Sequence, residues 1–303
     1  MGAFGRPAEL DSLLREIGPV WQQDIRAAGD RVKAAYLPVL MAAPRGGIAV
    51  TRDLAYGTHP RQVLDVYRPA TAREAPVVLF VHGGAFVRGA KDINDAMYGN
   101  VLRWFARQGC VGVNVEYRLA PEAPHPQGAL DVAAACAWVA EHIGDFGGDP
   151  QRVCLIGHSA GGTHAASLAC DPSLSHLRRG VNCLVLVSAR LRADCLPQNP
   201  NAAGVRAYFG DDEAGHAALA PMAHAAHLRL PLFVVNAEYE NPLLDVYAAE
   251  FVHRVAVARG VAPRHTTMAQ HNHVSIVAHF DSGEQRLGEQ ILDFFAACCR
   301  AAA

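Results

Sequence analysis

Five short runs of the chain are apolar almost throughout: VVLFV (77–81), CVGVNV (110–115), RVCLIG (152–157), CLVLVS (183–188) and LFVVNA (232–237). A strand with one wet face alternates apolar and polar residues. A continuous run means that both faces are buried, the condition of a parallel sheet covered on each side by helices. Stretches with helical periodicity fall between the runs, near 94–108, 127–142, 161–170, 243–259 and 284–299, and a more polar strand, PRHTTMA (263–269), precedes the last of them. Upstream, IAVTRDLAYG and RQVLDVYRP flank a Gly-Thr-His-Pro turn and read as an antiparallel pair that begins the sheet. The fold class is α/β: a mostly parallel eight-stranded sheet flanked by helices.

The chain has 303 residues, 51% of them hydrophobic and 18% charged, which suits a single domain over 1–303 with a sizeable core. Residues 1–47 read as an N-terminal helical arm, with Leu10, Leu13, Leu14, Ile17 and Val20 at helical spacing behind a cap at Asp11. Residues 189–230 are too long for a simple crossover and are expected to form a helical cap over the strand ends. The 27 basic and 29 acidic residues leave a net charge of −2, which argues against nucleic acid or an anionic membrane as partner. The longest apolar run, Val132 to Ala140, is nine residues, against the roughly 20 needed to span a bilayer. The first 21 residues carry acids and polar groups where a signal peptide is apolar, so the expected location is cytoplasmic. The eight cysteines form no CxxC pair and read as buried thiols. His271 and His273 are the closest approach to a metal pair, but no acid or cysteine lies beside them, so no metal or other cofactor is expected.

Two glycine-rich segments carry chemistry. Gly157-His158-Ser159-Ala160-Gly161-Gly162 follows the strand RVCLI and precedes a helix-competent stretch. A serine on such a bend is lifted out at the carboxyl edge of the sheet, and only small residues two positions either side avoid a clash. Upstream, VVLFV runs into His82-Gly83-Gly84-Ala85-Phe86, with no GK[ST] or completed GxGxxG that would make it a phosphate loop. It fits an oxyanion hole, in which backbone N–H groups stabilise charge developing on an attacked carbonyl oxygen. Gly84 and Ala85, with Ala160, are the expected donors; Gly83 shapes the turn and is the further candidate, and His82 is read as a structural residue.

With these two motifs, the stretch Glu116-Tyr117-Arg118-Leu119-Ala120-Pro121-Glu122, followed by His125-Pro126 and Asp131, resembles the hormone-sensitive-lipase-like branch of the α/β-hydrolase fold over roughly residues 48–298. The resemblance implies a serine esterase with its triad in the order Ser, acid, His. The usual HGGG is HGGA here and GDSAGG is GHSAGG, variants also found in arylformamidase-like and feruloyl-esterase-like relatives. By motif position the acid is Glu240, after the seventh strand, with Glu238 and Asp245 as competitors. The base is the final histidine of His271-Asn272-His273, and His271 is the runner-up. Glu240 would hold the tautomer of His273, and His273 would activate Ser159.

The expected function is therefore a carboxylesterase that cleaves a small-molecule ester through an acyl-enzyme, with Phe86, His158, Tyr208, Phe209 and His271 as substrate-pocket candidates. Tyr117 and Arg118 are read as turn anchors. An arylformamidase or other amide-cleaving hydrolase is the alternative within the enzyme class, and a ligand receptor on the same scaffold is the rival outside it. A homodimer is common among the relatives and is carried as an expectation.

Overall fold

The computed structural model describes residues 2–94 and 96–302. Among these, the strands are β1 Ile48–Ala55, β2 Val63–Pro69, β3 Ala75–Val81, β4 Val111–Val115, β5 Gly148–His158, β6 Val181–Val187, β7 Leu232–Tyr239 and β8 Arg264–Asn272. They form one sheet in the order β1-β2-β4-β3-β5-β6-β7-β8. β2 pairs antiparallel with both β1 and β4, and every later pairing is parallel. This is the α/β-hydrolase arrangement that the apolar runs and the opening antiparallel pair imply.

Alternate residues of each central strand enter separate cores. Val77, Leu79 and Val81 join Val132, Leu168 and Phe251, from helices Gln127–His142, Ala160–Cys170 and Leu244–Arg259. Val78 and Phe80 join Leu102, Phe105, Ile291 and Phe295, from Gly99–Arg107 and Arg286–Ala302 on the opposite face. Each fully buried aliphatic or aromatic side chain contributes about 1.5–3 kcal/mol, so two-sided burial explains why these strands tolerate no polar alternation.

The N-terminal helices Ala8–Ile17 and Ile25–Ala42 extend the second core through Leu10, Leu14, Ile17, Trp21, Val32, Tyr36 and Leu40. Asp11 is not the cap of the first helix. Pro7, at φ −52°, precedes the helix and starts it a turn earlier, which leaves Asp11 inside, paired with Arg15 at 3.0 Å and Arg6 at 3.5 Å. The second helix has a side-chain cap, Asp24 accepting from the Ala27 N–H at 2.9 Å.

Between β6 and β7 the chain makes short helices at Ala202–Phe209, His216–Leu219 and Pro221–His224. Val205, Tyr208 and Phe209 pack with Phe86, Ala120 and Ala160, so this segment lies over the carboxyl ends of β3 and β5. Among the described residues no helix is long and apolar enough to cross a membrane.

Candidate active site

Ser159 stands between β5 and the helix Ala160–Cys170 at φ 55°, ψ −120°, a conformation that costs a non-glycine residue on the order of 1–3 kcal/mol. The bend is held by the Ser159 N–H, which donates to the Val187 carbonyl at 3.0 Å. Its neighbours must be glycine: a Cβ at Gly157 would lie 2.6 Å from the Gly161 oxygen, and one at Gly161 would lie 2.3 Å from the Val81 oxygen.

Strand register brings the other two groups to this edge. Tyr239, the last residue of β7, pairs with Asn272, the last of β8, so Glu240 and His273 leave the sheet side by side. His273 Nδ1 lies 2.9 Å from Glu240 Oε2, and His273 Nε2 lies 3.0 Å from Ser159 Oγ. Glu240 Oε1 also accepts from the Ala237 N–H at 2.9 Å and from the Ser188 hydroxyl. With the carboxylate bound to Nδ1–H, the free lone pair of Nε2 faces the serine hydroxyl. The competing residues stand elsewhere. Glu238 Oε2 accepts from the exposed Gln270 N–H at 2.6 Å, and Asp245 is exposed in the first turn of its helix. His271 spends both ring nitrogens, on Ser275 Oγ at 3.0 Å and on Glu284 at 3.3 Å, and is fully buried.

The HGGAF loop turns back on itself through positive φ at Gly84, Ala85 and Phe86. The N–H groups of Gly84, Ala85 and Ala160 have no protein acceptor among the described residues. Gly83 instead lies against Tyr98: a Cβ there would stand 3.2 Å from the phenolic oxygen. Beneath the loop, His82 bonds the Gly83 carbonyl at 2.8 Å and Glu116 at 3.2 Å, while Glu116 also accepts from the Lys91 N–H at 2.8 Å and from Arg61. Burial alone would raise the Glu116 carboxyl; His82, the Lys91 amide and Arg61 outweigh it and hold the group below the usual carboxylate range. Tyr117 donates to the His82 carbonyl at 2.9 Å and Arg118 pairs with Asp131 at 2.6 Å, both as turn anchors.

His158 does not line the cavity at Ser159. It is buried, with Nε2 donating to the His273 carbonyl at 3.0 Å and Nδ1 3.3 Å from the Tyr98 hydroxyl. Burial pushes its pKa well below the ordinary histidine value, so the ring is neutral and carries its one proton on Nε2. A hydrogen-bonded chain thus runs from Tyr98 through His158 to the backbone of His273.

Over Ser159 sits a cavity of about 10 Å³, room for one water molecule. Phe86 and Leu244 supply its apolar wall; Arg190, Asn201 and Asn241 supply its polar wall. Four of the five expected pocket residues are displaced from it. His158 and His271 are buried in the hydrogen bonds given above, while Tyr208 and Phe209 stand behind Phe86, stacked at 4.7 Å and edge-on at 5.7 Å. The sequence reading missed the polar wall, as well as Ser188 and Tyr98. It also missed the 3₁₀ turn Gly18–Gln23, where Trp21 donates to Asn241 Oδ1 at 3.0 Å and Gln22 to the Glu240 carbonyl at 2.9 Å. Ser188 ends an apolar strand beside β5 and β7, a position that could have flagged it; the irregular segment after it offers no comparable signal. Among the described residues no group of three or more His, Cys, Asp or Glu could hold a metal ion, and the cysteines are free thiols.

A model of the family described as BD-FAE matches residues 64–181. Esterase LipC of Mycobacterium tuberculosis is 41% identical over 120 residues, 39% of this chain and 29% of that protein. Esterase LipI of the same organism is 46% identical over 107 residues, 34% of this chain and 32% of that protein. The chain thus spans about a third of the length of the curated relatives it matches. Over the whole fold, esterase B from Lactobacillus rhamnosis, solved with a C4-C4 SN3 tributyrin phosphonate inhibitor, superposes with a TM-score of 0.73 at 22% identity, covering 96% of this chain and 97% of that one.

Proposed function

We propose that this chain belongs to the hormone-sensitive-lipase-like esterase family of the α/β-hydrolase fold and is a carboxylesterase working through an acyl-enzyme on Ser159. The observation that carries the reading is the line Ser159–His273–Glu240, with contacts of 3.0 and 2.9 Å, at the carboxyl edge of the sheet. Ser159 Oγ attacks the ester carbonyl carbon as His273 Nε2 takes its proton. Glu240 holds Nδ1–H and stabilises the imidazolium that results. The oxyanion is received by the N–H groups of Gly84, Ala85 and Ala160, each worth roughly 3 kcal/mol in the transition state. The tetrahedral species collapses, the C–O bond to the alcohol breaks, and His273 returns the proton to the leaving alkoxide. Water then attacks the acyl carbon by the same route, releasing the acid and restoring the serine.

The relatives named as esterases and the phosphonate-inhibited structure support this chemistry. The segments 1–47 and 189–230 are its cap: the first meets Asn241 and Glu240 through Trp21 and Gln22, and the second backs Phe86. Hydrolysis of p-nitrophenyl acetate tests the reading. Ser159→Ala should lower kcat at least about 10³-fold with the protein still folded, and unchanged turnover would refute it.

A further inference from the structure

The polar wall beside Ser159 offers hydrogen-bond donors with their acceptors already spent. Asn241 Oδ1 accepts from Trp21 Nε1 at 3.0 Å, and Asn201 Oδ1 accepts from Arg88 Nη2 at 2.9 Å. Indole and guanidinium can only donate, so the oxygen of each amide must face them. Both residues line the cavity, and neither NH₂ has a protein acceptor among the described residues. Arg190 lines the same cavity. Its own N–H donates to the Ser159 carbonyl at 3.2 Å and its carbonyl accepts from Thr163 Oγ1 at 2.6 Å, which fixes its Cα beside the nucleophile. Its side chain is buried and held by Asp194 at 2.9 Å and Asn199 at 3.1 Å, an arrangement that occupies two of its five N–H groups.

A hydrocarbon acyl chain placed here would strip water from these donors and return nothing. A carboxylate would satisfy them, together with the Arg190 N–H groups that Asp194 and Asn199 leave unspent. We propose that the cavity recognises a carboxylate borne close to the scissile ester, so that the preferred substrates are monoesters of short dicarboxylic acids, with Arg190, Asn201 and Asn241 as the recognition group. This rests on the esterase reading above and narrows it. The polar wall stands beside Ser159, so only a carboxylate on a short linker from the scissile carbonyl would reach it. Asp194 tempers the charge of Arg190 and competes with the incoming anion.

The test compares kcat/KM for monoethyl succinate and monoethyl malonate with ethyl 4-methylpentanoate and ethyl 3-methylbutanoate, in which an isopropyl group replaces the carboxylate, by proton release at constant pH. The wild type should favour the monoesters at least about tenfold, the scale of a charge-assisted hydrogen bond. Arg190→Met should erase that preference, lowering monoester turnover at least about tenfold more than that of the branched esters. Asp194→Asn should increase the preference, an outcome that does not depend on the fold of the first variant. Equal or inverted preference in the wild type overturns the proposal, as does an Arg190→Met variant that loses both ester classes alike. If even p-nitrophenyl acetate is not hydrolysed, the esterase reading itself fails, and this inference with it.

Discussion

Glu240 meets three donors, from Ala237, Ser188 and His273, and is almost fully buried, so its carboxylate has one orientation available. His158 gives the same fixity to the other side of the histidine through the His273 carbonyl. Replacing His158 with Phe keeps the bulk and removes the bond. Steady-state kinetics on p-nitrophenyl acetate should then show kcat reduced about fivefold with KM little changed, as the loss of about 1 kcal/mol of orientation implies. Unchanged kcat would mean that the chain from Tyr98 to His273 positions nothing. At this scale the sequence was legible wherever backbone geometry dictates residue type: the bend at Ser159 requires Gly157 and Gly161, and the turn after β3 requires Gly84. Arg190, Asn201 and Asn241 were not legible, because nothing in their local pattern distinguishes a side chain aimed at a cavity from one on an ordinary loop.

The strands were legible as elements because burial on both faces removes most polar residues from them, Asn114 and Asn236 excepted, and the helices between them as helix-competent stretches, one of which, Ala160–Cys170, is buried on every side. The N-terminal arm was legible as helix but not in its role. Its helical spacing announces an apolar face without saying what that face covers, and the cap expected at Asp11 was misplaced because Pro7 starts the helix earlier. The arm reaches the site through Trp21, buried at 1% exposure and bonded to Asn241. Trp21→Phe leaves the Asn241 oxygen buried and unpaired, at a cost of about 1–3 kcal/mol. Urea unfolding should show a lower midpoint with an unchanged slope, and an unaltered midpoint would place the arm outside the cooperative unit.

For the molecule as a whole, acid is the condition that separates folded from unfolded chain most clearly. Burial holds His164 and His279 at about 3, whereas an ordinary histidine titrates near 6.5. His164 lies among Phe86, Tyr117 and Tyr208 with neither ring nitrogen hydrogen-bonded, and His279 lies against His271 and Phe280. Between pH 6.5 and 3 the unfolded chain binds protons at these positions and the folded chain does not, so their contribution is complete above 6.5 and is lost as pH falls through that window. Unfolding free energy should fall by several kcal/mol between pH 7 and 4, and His164→Asn with His279→Gln should flatten that slope; a wild-type stability independent of pH over this range would contradict the assignment.

The arrangement at the carboxyl edge of the sheet is tested most directly by covalent capture. After incubation with a fluorophosphonate, intact-mass and peptide mapping should find one adduct per chain, on Ser159, with esterase activity lost in step with labelling. Labelling on a different residue, or full turnover by a chain whose Ser159 stays unmodified, would contradict the account.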